Sequence, residues 1–126
     1  MIEHVSFNVT PSQAQACAGF YELLGFARIE PPAGLGERSI WLTHGGSSIH
    51  LMFRDRYGKD VAASDPGSGH VALVVENYDA TVGALRAAGT TIEERSAYWG
   101  SPRCYVSDPA GNRVELMAFG PSDSLG

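Results

Sequence analysis

Polar and apolar residues alternate along Ile2 to Val9, "IEHVSFNV", the period-two signature of a half-buried strand. Val5, Phe7 and Val9 fall on one side of it, and Ile2, His4, Ser6 and Asn8 on the other. The period then lengthens. Thr10 as cap, Pro11 in the first turn and Gln13 three residues after the cap predict a helix start. Cys17, Phe20, Tyr21 and Leu24 recur at helical spacing and give that helix one apolar face, with Gly25 as its stop. Strands are expected around Phe26 to Glu30, Arg38 to Thr43 and Ser47 to Phe53. The last two join through Gly45-Gly46, a hairpin signal that leaves His44 at the surface.

The same series then recurs. "HVALVVE" (His70 to Glu76) predicts a strand, Asn77 a cap, and Tyr78, Val82 and Leu85 a helix face that stops at Gly89. Strands follow around Thr91 to Arg95, Arg103 to Ser107 and Arg113 to Phe119, the last two joined by the turn Asp108-Pro109-Ala110-Gly111-Asn112. With a period near 65 residues, the chain reads as a duplicated βαβββ module and not as a solenoid. The expected organisation is one α+β domain over 1–126. Module 1 covers about 1–53, a linker 54–69 that doubles as a mobile flap, module 2 about 70–119, and a short tail 120–126.

Parity assigns a face to each strand residue. "SIHLMF" (Ser48 to Phe53) puts Ile49, Leu51 and Phe53 opposite His50 and Met52. "RVELMAF" (Arg113 to Phe119) puts Val114, Leu116 and Ala118 opposite Arg113, Glu115 and Met117. Each strand thus has an aliphatic side for its helix and a second side, and His4, His50, His70 and Glu115 all fall on the second. Trp41, Arg103 and Tyr105 share it. The two sheets are expected to curve around a concavity lined by Trp41, Met52, Tyr105 and Met117, with the four metal-capable groups at its base. Arg103 there serves either to hold an anionic group of a substrate or to make a structural ion pair.

Composition narrows the classes of partner. A net charge of -5 without a basic cluster argues against nucleic acid. No apolar run approaches the ~20 residues that span a bilayer. The N-terminus shows no basic segment followed by an apolar one. Cys17 and Cys104 make neither a disulfide framework nor a thiolate metal site, and a cytoplasmic protein with reduced thiols is expected.

"IEHVSFNV…FYELLGF…SSIHLMF" and "GHVALVVENYDATVGALRAAG…RCYVSDPAGNRVELMAF" resemble the vicinal oxygen chelate superfamily. That group includes glyoxalase I, methylmalonyl-CoA epimerase, extradiol dioxygenases, and the fosfomycin and bleomycin resistance proteins. The resemblance covers Met1 to about Phe119 and implies two βαβββ modules forming a cupped, half-open eight-stranded barrel, commonly as a homodimer. It implies metal ligands from the first and last strands of each module: His4 and His50, then His70 and Glu115. These are the four that parity brought to one face. His50 departs from the resembled glyoxalases and epimerases, which usually carry Glu or Gln there. In the dioxygenase and fosfomycin-resistance relatives the ligands match His4, His70 and Glu115, leaving His50 as a fourth ligand or an acid/base beside the site.

Three imidazoles and a carboxylate suit a divalent transition metal (Fe, Mn, Co, Ni or Zn) and not Ca or Mg. Two positions left open would accept neighbouring oxygens of a small-molecule substrate, with enolate or oxyanion stabilisation in a lyase or isomerase. Glu115, if released from the metal when substrate binds, is the expected general base; otherwise His50 is. Two alternatives stand beside this one: an Fe(II) extradiol-type dioxygenase, and a metal-free antibiotic-binding protein of the bleomycin-resistance type.

Overall fold

The computed structural model describes residues 2–54 and 69–121. The expected linker and flap, 54–69, and the tail, 120–126, fall almost wholly outside the described residues. The chain divides into two compact units, Met1–Lys59 and Asp60–Gly126. The first holds β1 (His4–Val9), α1 (Ala14–Leu23), β2 (Ala27–Ile29), β3 (Ser39–His44) and β4 (Ser47–Phe53). The second holds β5 (Val71–Val74), α2 (Tyr78–Ala87), β6 (Glu93–Tyr98), β7 (Ser101–Ser107) and β8 (Arg113–Met117).

Each unit is one mixed four-stranded sheet with the same connectivity. The strand orders are β1-β4-β3-β2 and β5-β8-β7-β6. The first and last strands of each unit run parallel and the other neighbours antiparallel. The architecture is therefore α+β, two tandem βαβββ modules. No helix among the described residues is long and apolar enough to cross a membrane.

Both helices end in the same way, for a reason visible in the sequence. Gly25 donates its N–H to Glu22 O and Phe26 to Tyr21 O. Gly89 donates to Arg86 O and Thr90 to Leu85 O. This is the paired closure that a left-handed residue permits, and Gly25 (φ +103°) and Gly89 (φ +91°) supply it. The rings of Phe26 and Tyr21 meet edge to face across the first of these ends. A Cβ on Gly25 would also lie 3.4 Å from the imidazole of His44. Gly25→Ala is expected to lower stability by about 1–2 kcal/mol in a urea titration, through the unfavourable φ.

The first helix starts later than Thr10 predicts. Gln13 N–H donates to Thr10 O at 3.0 Å, and Gln13 Oε1 accepts from Thr10 N–H at 3.2 Å. This turn uses the Gln half of the expected capping box, but the Thr10 hydroxyl pairs with Ser12 Oγ instead of capping. Regular helix begins only at Ala14, without a side-chain cap. In α2 the predicted cap holds: Asn77 Oδ1 accepts from Ala80 N–H at 3.2 Å.

The helix faces bury as the spacing requires. Cys17, Phe20, Tyr21 and Leu24 lie in the core of the first unit with Leu42, Ile49 and Leu51, and α1 packs on β3 and β4. Val82, Leu85, Cys104, Val106, Val114 and Leu116 form the core of the second. Cys17 and Cys104 are buried free thiols, one in each unit. His44 is not at the surface as expected; it is half-buried, with its ring 5.6 Å from that of Phe26.

Strand ends shift by one to three residues from the sequence expectation. β6 begins at Glu93 and runs on to Tyr98 through a register shift after Arg95. β8 stops at Met117 because Ser101 Oγ takes the next two N–H groups, Ala118 at 3.0 Å and Phe119 at 3.3 Å.

Candidate functional site

In the first unit the site residues are set by strand register. His50, at the centre of β4, faces Trp41 across β3 and Ser6 across β1. The Trp41 ring stacks on His50 with centroids 3.8 Å apart and planes inclined by 8°. His4, on β1, stacks on His50 at 4.1 Å and 17°. Because β1 and β3 flank β4 on opposite sides, His50 is sandwiched, and only 7% of it is exposed. This is why β4 buries three consecutive residues where alternation predicts every second one. Burial lowers the His50 pKa, the neighbouring His4 lowers it further, and Glu3 opposes both.

His4 is tied at its other edge as well: Nδ1 is hydrogen-bonded to the Glu3 carboxylate. A carboxylate only accepts, so Nδ1 carries a proton, and in the neutral ring the lone pair is on Nε2. Sequence parity missed Glu3 because it put that residue on the opposite face from His4. Glu3 precedes the strand proper, where alternation no longer applies. Trp41 also borders a cleft of about 390 Å³ with Ile29, Pro31, Ser39 and Ile40. Among the described residues, its Nε1–H is buried without an acceptor.

The second unit carries a charged cluster on the side of β8 that parity assigned to Glu115. Glu115 is 6% exposed; its Oε1 lies 3.1 Å from His70 Nε2 and its Oε2 3.3 Å from Arg103 Nη1. Tyr105, directly opposite Glu115 in the β7–β8 register, meets the His70 ring edge to face at 5.1 Å. Arg103 is 8% exposed, donates from Nε to Ser96 O at 2.9 Å, and lies over the Tyr98 ring at 3.6 Å. Arg113 lies over Tyr105 at 4.2 Å and donates to Glu93 Oε2 at 2.9 Å. Met117 is buried opposite Arg103, and in the first unit Met52 is half-buried opposite Ser39.

Glu93, Tyr98 and Arg113 are additions to the sequence-derived set. Arg113 shares the parity of Glu115 and was legible as an inward group. Tyr98 was not, because the register shift between Arg95 and Tyr98 breaks the alternation that would place it.

The four proposed ligands therefore fall in pairs, one pair per unit. Among the described residues, no three or more His, Cys, Asp or Glu side chains gather into a group that could hold a metal ion. The donor types suit a divalent transition ion, but the two pairs differ in geometry. His70 Nε2 and Glu115 Oε1, at 3.1 Å, stand at about the ~3 Å spacing of neighbouring ligands on one ion. His4 and His50 do not. An imidazole donates in its own ring plane, and planes stacked and inclined by only 17° converge far beyond the ~2.0–2.1 Å of a metal–nitrogen bond.

The fold is shared with solved structures. A protein assigned to the glyoxalase family from Bacillus anthracis matches at 28% identity, over 93% of each chain, with a TM-score of 0.76. Lactoylglutathione lyase from Agrobacterium tumefaciens matches at 20% identity over 93% of this chain and 92% of its own, with a TM-score of 0.65. The genomically encoded fosfomycin resistance protein FosX from Listeria monocytogenes, as a Glu-to-Gln mutant with Mn(II) and 1S,2S-dihydroxypropylphosphonic acid, matches at 17% identity. That match covers 99% of this chain and 94% of its own, with a TM-score of 0.72. No curated protein sequence matches. The model of the Glyoxalase/Bleomycin resistance protein/Dioxygenase superfamily matches residues 2–116, and the chain belongs to that superfamily.

Proposed function

We propose that the protein is a metal-dependent enzyme acting on a small oxygenated substrate by lyase or isomerase chemistry. The observation that carries this reading is the His70–Glu115 pair, a partly exposed imidazole and a buried carboxylate at ligand spacing. His4, with Nδ1 tied to Glu3 and its ring stacked on His50, offers a further imidazole donor through Nε2. Support of a second sort comes from the relatives, among which are a lyase and an Mn(II)-bound resistance protein.

In the second unit His70 and Glu115 would hold an ion, and in the first His4, with His50 stacked on it, offers a donor of the same class. When bound, the ion would supply Lewis-acid stabilisation of negative charge on a substrate oxygen. The chain's own side chains do the rest. Arg103 would hold an anionic group of the substrate through the guanidinium N–H groups that donate neither to Glu115 nor to Ser96. Glu115, if freed from the ion when substrate binds, would take or return a proton, with Arg103 beside its Oε2. In the first unit the cleft beside Trp41, lined also by Arg28, Glu30 and Pro31, would contact the substrate, with the Trp41 Nε1–H as a donor to it.

The test is a panel of 2-oxoaldehyde–thiol adducts, 2-hydroxy acids, epoxides and catechols, assayed with intact, chelator-treated and metal-reconstituted protein. The reading expects turnover of a non-catechol member, lost with chelator and restored by Mn(II), Co(II), Ni(II), Zn(II) or Fe(II). Turnover indifferent to chelator contradicts it, as does tight ligand binding without turnover.

A further inference from the structure

We infer that His50 is a positioning residue and not a metal donor: it is the middle ring of a Trp41–His50–His4 stack that fixes the plane of His4. The inference rests on the metal reading above and goes further by removing one of the four expected ligands.

Three observations carry it. The rings follow the order of the strands, His4 on β1, His50 on β4 and Trp41 on β3. Neighbouring strands stand ~4.8 Å apart. One flat ring on the middle strand therefore reaches both neighbours at stacking distance, and the centroid separations of 4.1 and 3.8 Å show that it does. Secondly, His50 is covered on both faces and 7% exposed, and its ring plane runs nearly parallel to that of His4. Donors in parallel stacked planes cannot meet at one ion, so either His4 or His50 coordinates, and not both. Thirdly, the choice between them falls on His4. Glu3 holds the His4 proton on Nδ1 and leaves Nε2 as the donor, as a carboxylate does behind a ligating imidazole. His4 is also the more open of the two, with 41% of its side chain exposed.

The stack completes what Glu3 begins. A single hydrogen bond at Nδ1 sets the tautomer but leaves the ring free to tilt about that bond. Contact with the flat face of His50, itself backed by Trp41, removes the tilt. A flat ring at position 50 is thus required, and its nitrogens are not.

Mn(II) titration of the full chain separates the roles. His50→Phe keeps a flat ring of similar volume and has no donor nitrogen. It is expected to bind Mn(II) within about threefold of the wild type, well under the 10–100-fold that loss of an orienting partner brings. His50→Ala, which opens the stack, is expected to bind about 10–100-fold more weakly, and His4→Ala more weakly still. Should His50→Phe fail to fold, pulsed electron–nuclear resonance on Mn(II)-loaded wild-type protein with ¹⁵N-histidine counts the coordinated imidazoles directly. Two are expected.

Three coordinated imidazoles, or a His50→Phe variant as weak as His4→Ala, overturn the inference while leaving the metal reading intact. A His50→Ala variant as tight as His50→Phe overturns the positioning role. Failure of the wild type to bind any Mn(II) overturns this inference and the metal reading together.

Discussion

Glu115→Gln is expected to weaken Mn(II) binding by more than about 100-fold, beyond the range seen when only a partner of a ligand is lost. The change is small in shape. The amide oxygen still accepts from Arg103 Nη1, now 3.3 Å from Glu115 Oε2, and the side chain still fills its place between Ala72 and Tyr105. What disappears is the negative charge, and with it the anionic ligand beside His70 Nε2. Burial magnifies that loss, because charge interactions are screened less at 6% exposure than at the surface. Isothermal titration with Mn(II) reads the affinity, and a urea titration of the metal-free protein shows that the fold persists. Unchanged affinity would exclude Glu115 as a ligand.

Asp108→Ala is expected to cost about 3–5 kcal/mol of stability, measured as a lower urea midpoint at constant slope. Asp108 is 2% exposed and closes the turn that "DPAGN" announces. Its Oδ1 accepts from Ala110 N–H and Asn112 N–H, both at 2.9 Å, and its Oδ2 accepts from Asn112 Nδ2 at 2.9 Å. Alanine strands those donors in a buried place, and each stranded donor costs about 1–3 kcal/mol before relaxation. The turn also sets where β8 begins, since Asp108 N–H bonds Asn112 O and Arg113 is the first residue of the strand. The same variant is therefore expected to loosen Glu115, three residues beyond the turn. Asp108→Asn, which keeps the Oδ1 acceptor, should fall between the two. A loss below about 1 kcal/mol in Asp108→Ala would show that the network contributes no more than one exposed hydrogen bond does.

Much of this was legible in the sequence because its signals were local. Gly25 and Gly89 mark helix ends, since both closures need a positive φ that few other residues adopt. Gly45-Gly46 fixes the β3–β4 hairpin, with His44 and Ser47 paired across it. The matching frames of "SIHLMF" and "RVELMAF" exposed the duplication, and parity put Trp41 on the face of His50 and Tyr105 on that of Glu115; the registers then set each pair opposite.

What sequence could not supply was the relation of side chains once on a common face. Parity places His4 and His50 together but does not distinguish rings that stack from rings that converge. Nor does it show a carboxylate reaching across from Glu3, one residue before β1. Tyr98 escaped for a different reason: a bulge costs one residue of register, and every parity assignment beyond it reverses. Thr10 misled because a good cap sequence was used for a turn ahead of the helix.

The proposed function rests on binding of a divalent transition metal, with His4, His70 and Glu115 as candidate donors. Titration of metal-free protein with Co(II), followed by its visible d–d absorption, tests it most directly. Saturation is expected at about one equivalent per chain, as for a site built into the fold. The absorption should be that of mixed nitrogen and oxygen ligation, and it should be lost in His4→Ala and His70→Ala. No saturable absorption in the wild type, or a spectrum unchanged in both variants, would contradict it.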